Sequence, residues 1–232
     1  MFIMVDGIDG SGKRTIVEAM VEHFAEQGKR IFDIGEWSKI HHVLPTIDDM
    51  KDAEVVIGVE PSYVWTGAAI RYELIRNGQG HAMREITQAF AIDRQILYRR
   101  CYLPILERGG ILITERGVST SIVYNPAMDE TVTLADVLVL EGNELAMQHA
   151  PDHLVIASLH PSIAMERLGA RASKKDDAIF EKEAFLHTTH ERYHSDWFKK
   201  LFEDRGTKVH HLDTSPSMTD VKRAAKNLIS TF

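Results

Sequence analysis

The stretch Phe2-Ile3-Met4-Val5-Asp6-Gly7-Ile8-Asp9-Gly10-Ser11-Gly12-Lys13-Arg14-Thr15 decides the reading of this chain. A short apolar run leads into a glycine-rich turn, and Ile16-Val17-Glu18-Ala19-Met20-Val21 then continues as a helical pattern. A strand, a glycine turn and a helix start, in that order, make a phosphate cradle. Gly7, Gly10 and Gly12 let the backbone curl so that several N–H groups point at one anion. The helix start adds unpaired N–H groups and the positive end of its dipole. Lys13 brings a mobile positive charge for the outer phosphates, and Asp9, Ser11, Arg14 and Thr15 complete the candidate nucleotide-binding loop. The pattern G-x-x-x-x-G-K-[ST] fits at every fixed position but the last, where Arg14 replaces the Mg²⁺-binding hydroxyl.

Working outward, 232 residues suffice for one α/β domain with a sizeable core. A formal charge of −7 argues against a nucleic-acid groove. The single cysteine, Cys101, excludes an intrachain disulfide framework and suits a reducing cytoplasm; it reads as a small core residue. No apolar stretch is long enough to span a bilayer. The first strand runs directly into the loop, so no cleavable signal is expected. A cytoplasmic location without membrane or nucleic-acid partners follows as an expectation.

Strand-like runs recur at 2–6, 30–34, 55–59, 110–114, 153–159 and 208–212, with helical segments between them. This alternation predicts an α/β fold, a parallel β-sheet with helices on both faces. Runs such as Val55-Val56-Ile57 and Leu154-Val155-Ile156 are apolar throughout, as strands covered on both faces should be. One domain over 1–232 is expected. Residues 35–54 read as an irregular connection with one short helix, and 167–180 as a polar lid loop.

Three further signals bear on chemistry. Glu60-Pro61-Ser62 ends a strand, where ligands bind in open α/β sheets. Phe90 and Arg94 lie four apart on one helical face, a ring and a guanidinium able to stack on a base and donate to its edge. Glu115-Arg116 ends another strand; the carboxylate can hold Mg²⁺ and the arginine can clamp phosphate.

In their order along the chain, these motifs resemble the thymidylate kinases of the P-loop nucleoside-monophosphate kinase group. The residues that carry the resemblance are 7–15, Glu60-Pro61, Phe90-Ala91-Ile92-Asp93-Arg94, Glu115-Arg116-Gly117 with Tyr124-Asn125, Pro151-Asp152, and Ala164-Met165-Glu166-Arg167. The resemblance implies the P-loop nucleoside triphosphate hydrolase fold and transfer of the ATP γ-phosphoryl group to dTMP with Mg²⁺. It implies that Asp9 contacts the sugar 3′-hydroxyl, Phe90 stacks on thymine, Arg94 bonds its exocyclic oxygen, and Ser121 sits near the base. It places Tyr124 against the sugar 2′ position, Glu60 at the substrate, and Arg71 and Arg116 at the acceptor phosphate. Lys13, Arg116, Glu115 and Arg171 would be catalytic, with Glu115 also at the metal. Gly10 stands where one branch of the family has an arginine; Arg167, Arg171, Lys174 and Lys175 are the candidate lid cations instead, in keeping with phosphoryl transfer as positioning plus positive charge.

A homodimer is also implied, and the 90–106 helix has Phe90, Ile96, Leu97 and Leu103 to offer it. Arg14 is expected to reach a phosphate and stand in for metal charge. Thr15, about 100° further around the helix, cannot simply replace the missing hydroxyl. Gly117, in place of an aromatic, is expected to leave the local backbone loose. Two alternatives remain beside dTMP kinase: a kinase for another deoxynucleoside monophosphate, and a catalytically weak nucleotide-binding protein on the same fold. His187, His190 and His194 share a helical face with metal-ligand spacing, but a solvated face is expected. Trp197, Phe198, Leu201 and Phe202 are expected in the core.

Overall fold

The computed structural model describes residues 1–170 and 183–232. Arg171, Lys174 and Lys175 of the expected lid lie outside the described residues.

The first half of the chain alternates as the apolar runs require: β1 (Phe2–Asp6), α1 (Lys13–Glu26), β2 (Ile31–Asp33), α2 (Ile34–His41), β3 (Val55–Val59), α3 (Trp65–Ala69), α4 (Met83–Leu97), α5 (Leu103–Glu107) and β4 (Ile111–Glu115). The second half continues with α6 (Val118–Met128), α7 (Leu134–Leu138), α8 (Glu141–Gln148), β5 (His153–Ser158), α9 (Pro161–Gly169), α10 (Glu183–Tyr193), α11 (Asp196–Glu203), β6 (Lys208–Asp213) and α12 (Met218–Ile229). Local chemistry sets several starts. The Asp33 carboxylate accepts from Glu36 N and caps α2, Thr133 caps α7, Ser217 caps α12, and Pro161 opens α9. The irregular stretch expected at 35–54 therefore contains a well-capped helix.

All strand pairings are parallel, in the order β2-β3-β4-β1-β5-β6. Side chains alternate across the sheet and divide the core in two. On one face Ile3, Val5, Val55, Ile113 and Val155 pack against α1 (Ile16, Met20) and α12 (Val221, Ile229). On the other, Phe2, Met4, Val56, Leu112 and Leu154 pack against α4, α6, α10 and α11, with Phe198 and Phe202 fully buried and Trp197 37% exposed. Full burial of the central strands explains their unbroken apolar runs.

One sequence expectation changes. Gly117 is not loose: a Cβ there would stand 2.7 Å from Met4 Sδ, and its carbonyl accepts from Arg94 Nη2 at 3.0 Å. It is a glycine because β1 lies against it. Of the apolar residues in 90–106, Leu97 is fully buried, and Phe90, Ile96 and Leu103 are half-buried against the same core.

Candidate active site

β1 is central, flanked by β4 and β5; its own connection runs through α1 on one face of the sheet, whereas that of β4 runs through α6 on the other. The crevice at the carboxyl ends of these strands is therefore the natural ligand site. The loop after β1 fills it. Gly7 (φ 140°), Gly10 (φ 79°) and Gly12 (φ 84°) take conformations that side chains resist, and Gly12 caps α1 in the left-handed region. A Cβ on Gly10 would stand 2.7 Å from the Ala164 carbonyl oxygen, so α9 presses directly on the loop and no side chain fits at residue 10.

Lys13 is 5% exposed, and its ammonium donates to Gly7 O (3.0 Å) and Ile8 O (2.7 Å). Burial, with the nearby Arg116 charge adding to it, lowers its pKa from 10.5 to about 8 against the pull of Asp9 and Asp6. The ammonium thus lies across the loop, held by the Gly7 and Ile8 carbonyls. Ser11 Oγ is buried without a protein partner, a donor aimed into the loop. Arg14 departs from expectation. Its guanidinium bonds Glu18 at 3.0 Å along α1, with both side chains about half exposed. An i,i+4 partner satisfies it on the helix surface, so it does not stand in the cradle.

The second half of the site comes from β4. Arg116 has φ 68°, and its guanidinium bonds the Asp9 carboxylate and lies 3.6 Å from Asp6. Tyr124 Oη donates to Asp9 Oδ2 at 3.2 Å, and its ring lies 5.4 Å from the Arg116 guanidinium. Asp6, fully buried, accepts from Gly7 N (2.8 Å), Ser119 Oγ and Thr120 Oγ1 (2.7 Å). It joins the loop to the start of α6. Sequence reading missed Asp6; its signal was a carboxylate closing an otherwise apolar buried strand. Glu115 precedes Arg116, and its carbonyl accepts from Glu60 N at 3.1 Å, which holds the ends of β3 and β4 together.

The third part lies between α4 and α8. Arg94 is 1% exposed and donates to Glu60 Oε2 (2.7 Å), Gly117 O (3.0 Å), Ser121 Oγ (3.2 Å) and Asn143 Oδ1. The structure thus brings Glu60, Arg94 and Ser121 together as partners, and most of the guanidinium's donors are engaged by protein. Burial pushes the Glu60 carboxyl up to about 7 against the pull of Arg94. Glu60 Oε2 thus supports Arg94, while its Oε1 is buried without a hydrogen-bond partner. Asn143 was missed because it is 49 positions from Arg94; its Nδ2 donates to Val137 O at 2.7 Å, which fixes the amide. Phe90 is half-buried one helical turn away. Arg71 donates Nε to Pro61 O (3.0 Å) and Ser62 O (2.9 Å), and Ser62 Oγ donates to Asp93 Oδ1 at 2.6 Å.

Beside the cradle, a cleft of about 500 Å³ is lined by Gly12, Thr15, Arg167, Thr214, Ser217 and Met218 among others. Arg167 Nη2 donates to Thr214 O at 2.8 Å and braces this wall. The turn after β6 carries no recognisable motif and escaped sequence reading. The His190 and His194 rings lie tilted with centroids 4.2 Å apart, and His194 meets His211 at 4.8 Å, so this face is partly covered by its own imidazoles. Among the described residues no group of three or more His, Cys, Asp or Glu is arranged to hold a metal.

A parallel sheet whose central strand feeds a glycine loop, a buried lysine and an arginine returning from the neighbouring strand defines a phosphotransferase of the P-loop class. Residues 42–225 match the family model described as thymidylate kinase, and the chain belongs to that family. It is similar to the thymidylate kinase of Leptospira borgpetersenii serovar Hardjo-bovis (strain L550), with 27% identity over 176 residues, 76% of this chain and 72% of the relative. The thymidylate kinase of Ligilactobacillus salivarius (strain UCC118) is 25% identical over 236 residues, 100% of this chain and 98% of the relative. That of Shouchella clausii (strain KSM-K16) is 24% identical over 224 residues, 95% and 90% respectively. The cradle and α2 precede the range of the family model, but the match to the Ligilactobacillus salivarius relative spans them.

Proposed function

We propose that this site transfers the γ-phosphoryl group of ATP to dTMP, giving dTDP. The observation that carries the reading is the Asp9–Arg116 ion pair, which ties the phosphate loop of β1 to the arginine of β4 across 107 positions of sequence. Donor and acceptor ends thus share one crevice. ATP lies with its base in the cleft by Arg167 and Thr214 and its phosphates on the loop amides, Ser11 and Lys13. The acceptor lies between Phe90, Tyr124 and Asp9, with its phosphate toward Arg71 and Arg116. As the acceptor enters, Asp9 turns from Arg116 to the sugar hydroxyl and frees the guanidinium for phosphate. Such a site works by positioning and by opposing the charge on the transferred group.

The donor set fits Mg²⁺. With Arg14 drawn off to Glu18, the mouth of the cradle presents the hard oxygens of Glu115 and the nucleotide's own phosphates, the usual surroundings of this ion. When bound, Mg²⁺ neutralises charge on the β and γ oxygens. Glu115 is the residue that would hold it.

We propose further that the protein is a cytoplasmic homodimer. No helix among the described residues is long and apolar enough to cross a membrane. Ile92, 50% exposed, sits beside half-buried Ile96 on the outer face of α4 and supplies the apolar contact. Light scattering at tens of micromolar tests assembly, and a monomeric mass refutes it. The reaction is tested by a coupled assay with ATP, Mg²⁺ and a panel of monophosphates. dTMP is expected to have the highest kcat/KM. Faster turnover of another deoxynucleotide would reassign the acceptor, and nucleotide binding without turnover would make this a binding protein.

A further inference from the structure

α2 lies just before residue 42, where the match to the family model begins, and no residue of it was singled out by the sequence motifs. Its position gives it a role. The Asp33 cap starts the helix at the carboxyl end of β2, beside the carboxyl end of β3. Gly35 lies against the ring of Tyr63, where an added Cβ would be 3.2 Å from the ring carbon Cε2. One turn on, Lys39 places its ammonium 4.2 Å from the centre of the same ring. The Arg71 guanidinium lies 4.1 Å from that ring. Lys39 and Arg71 thus both lie within cation–π distance of one ring.

Arg71 is the cation assigned above to the acceptor phosphate. Its Nε and Nη2 donate to the Pro61 and Ser62 carbonyls, which leaves its outer edge to be aimed by whatever fixes the plane of the guanidinium. The Tyr63 ring is that surface, and Lys39 bears on the same ring. Glu36 bonds Lys39 at 2.7 Å and holds its stem in register. This bond, opposed by partial burial, raises the Lys39 pKa, so the ammonium stays charged at any working pH.

We propose that Lys39 is a positioning residue for the acceptor phosphate, bearing from α2 on the Tyr63 ring that orients Arg71 and so setting preference for a nucleoside monophosphate over the bare nucleoside. The inference rests on the acceptor reading given above. A cation on an aromatic face at a partly exposed site contributes modestly, so loss of the charge should weaken phosphate binding by about two- to fivefold. Lys39 is 43% exposed, and its removal leaves the core untouched.

The test compares wild type, Lys39→Met, Lys39→Arg and Glu36→Gln by calorimetry with dTMP, thymidine and ATP, and by steady-state kinetics. Lys39→Met should raise Kd and KM for dTMP about two- to fivefold. Thymidine affinity, ATP affinity and kcat should not change. Lys39→Arg should restore dTMP binding, because it returns a cation to the ring face. Glu36→Gln should leave the preference for dTMP over thymidine in place. Equal dTMP affinity in wild type and Lys39→Met, or equal weakening of dTMP and thymidine, would overturn the inference alone. Absence of dTMP binding in the wild type would overturn the acceptor reading, and this inference with it.

Discussion

Replacing Gly10 by alanine should damage this protein more than the same change at other glycines of equal backbone conformation. Gly10, Gly12 and Gly109 have φ of 79°, 84° and 80°. Each substitution forces a left-handed L-residue, at roughly 1–2 kcal/mol. What differs is the space. A Cβ at Gly109 meets nothing within 4 Å, and one at Gly12 meets its nearest atoms at 3.9 Å. At Gly10 it meets the Ala164 carbonyl oxygen at 2.7 Å and Leu168 Cγ at 3.2 Å. The oxygen belongs to the backbone of α9 and cannot rotate away, so α9 or the loop must shift. Overpacking of that kind adds about 1–3 kcal/mol. Gly109→Ala and Gly12→Ala should therefore lose about 1–2 kcal/mol, and Gly10→Ala about 2–5 kcal/mol. Urea unfolding of the three variants reads these values directly. ATP affinity should fall with stability at Gly10 and Gly12 and stay unchanged at Gly109, which is remote from the loop. If Gly10→Ala is no less stable than Gly109→Ala, α9 does not bear on the cradle.

Other perturbations follow from the same geometry. Lys13 has a folded-state pKa lowered to about 8, so its charge is present below that value; ATP affinity by calorimetry should fall as pH rises through about 8, and Lys13→Met should remove both the affinity and this pH step. Phe90→Ala should weaken dTMP binding by about 1–3 kcal/mol, and wild-type protein that binds dTMP and dAMP equally would refute stacking as the basis of choice. Arg14, paired with Glu18 on the helix surface, should matter little: Arg14→Ser should change stability by under about 0.5 kcal/mol, and chelation should abolish ATP binding as fully in wild type as in the variant. ATP retained by the wild type alone in chelator would show that Arg14 swings into the cradle after all.

The sequence by itself determined the phosphate loop and the fold class. Both are local in origin. The cradle is made of consecutive backbone amides, so glycine spacing over residues 7–15 suffices to specify it. The strands declare themselves because burial on both faces demands unbroken apolar runs, and each predicted strand lies within two residues of its observed bounds. Only the tertiary structure decided what each charged side chain faces. Arg94 reads as a base-edge donor from its helical spacing, yet its partners Glu60 and Asn143 are 34 and 49 positions away and bury it. Arg116 meets Asp9 because β4 pairs with β1, a fact of strand order that no sequence window contains. Arg14 was misread for the opposite reason: a partner one turn along its own helix captured it before the cradle could. Gly117 and Gly10 read as looseness or as a missing arginine, and both proved to be places where another backbone or side chain leaves no room for a Cβ. Contact between strand ends depends on the order in which the sheet assembles, and packing against a glycine depends on the element that crosses it. Neither quantity is written in local spacing.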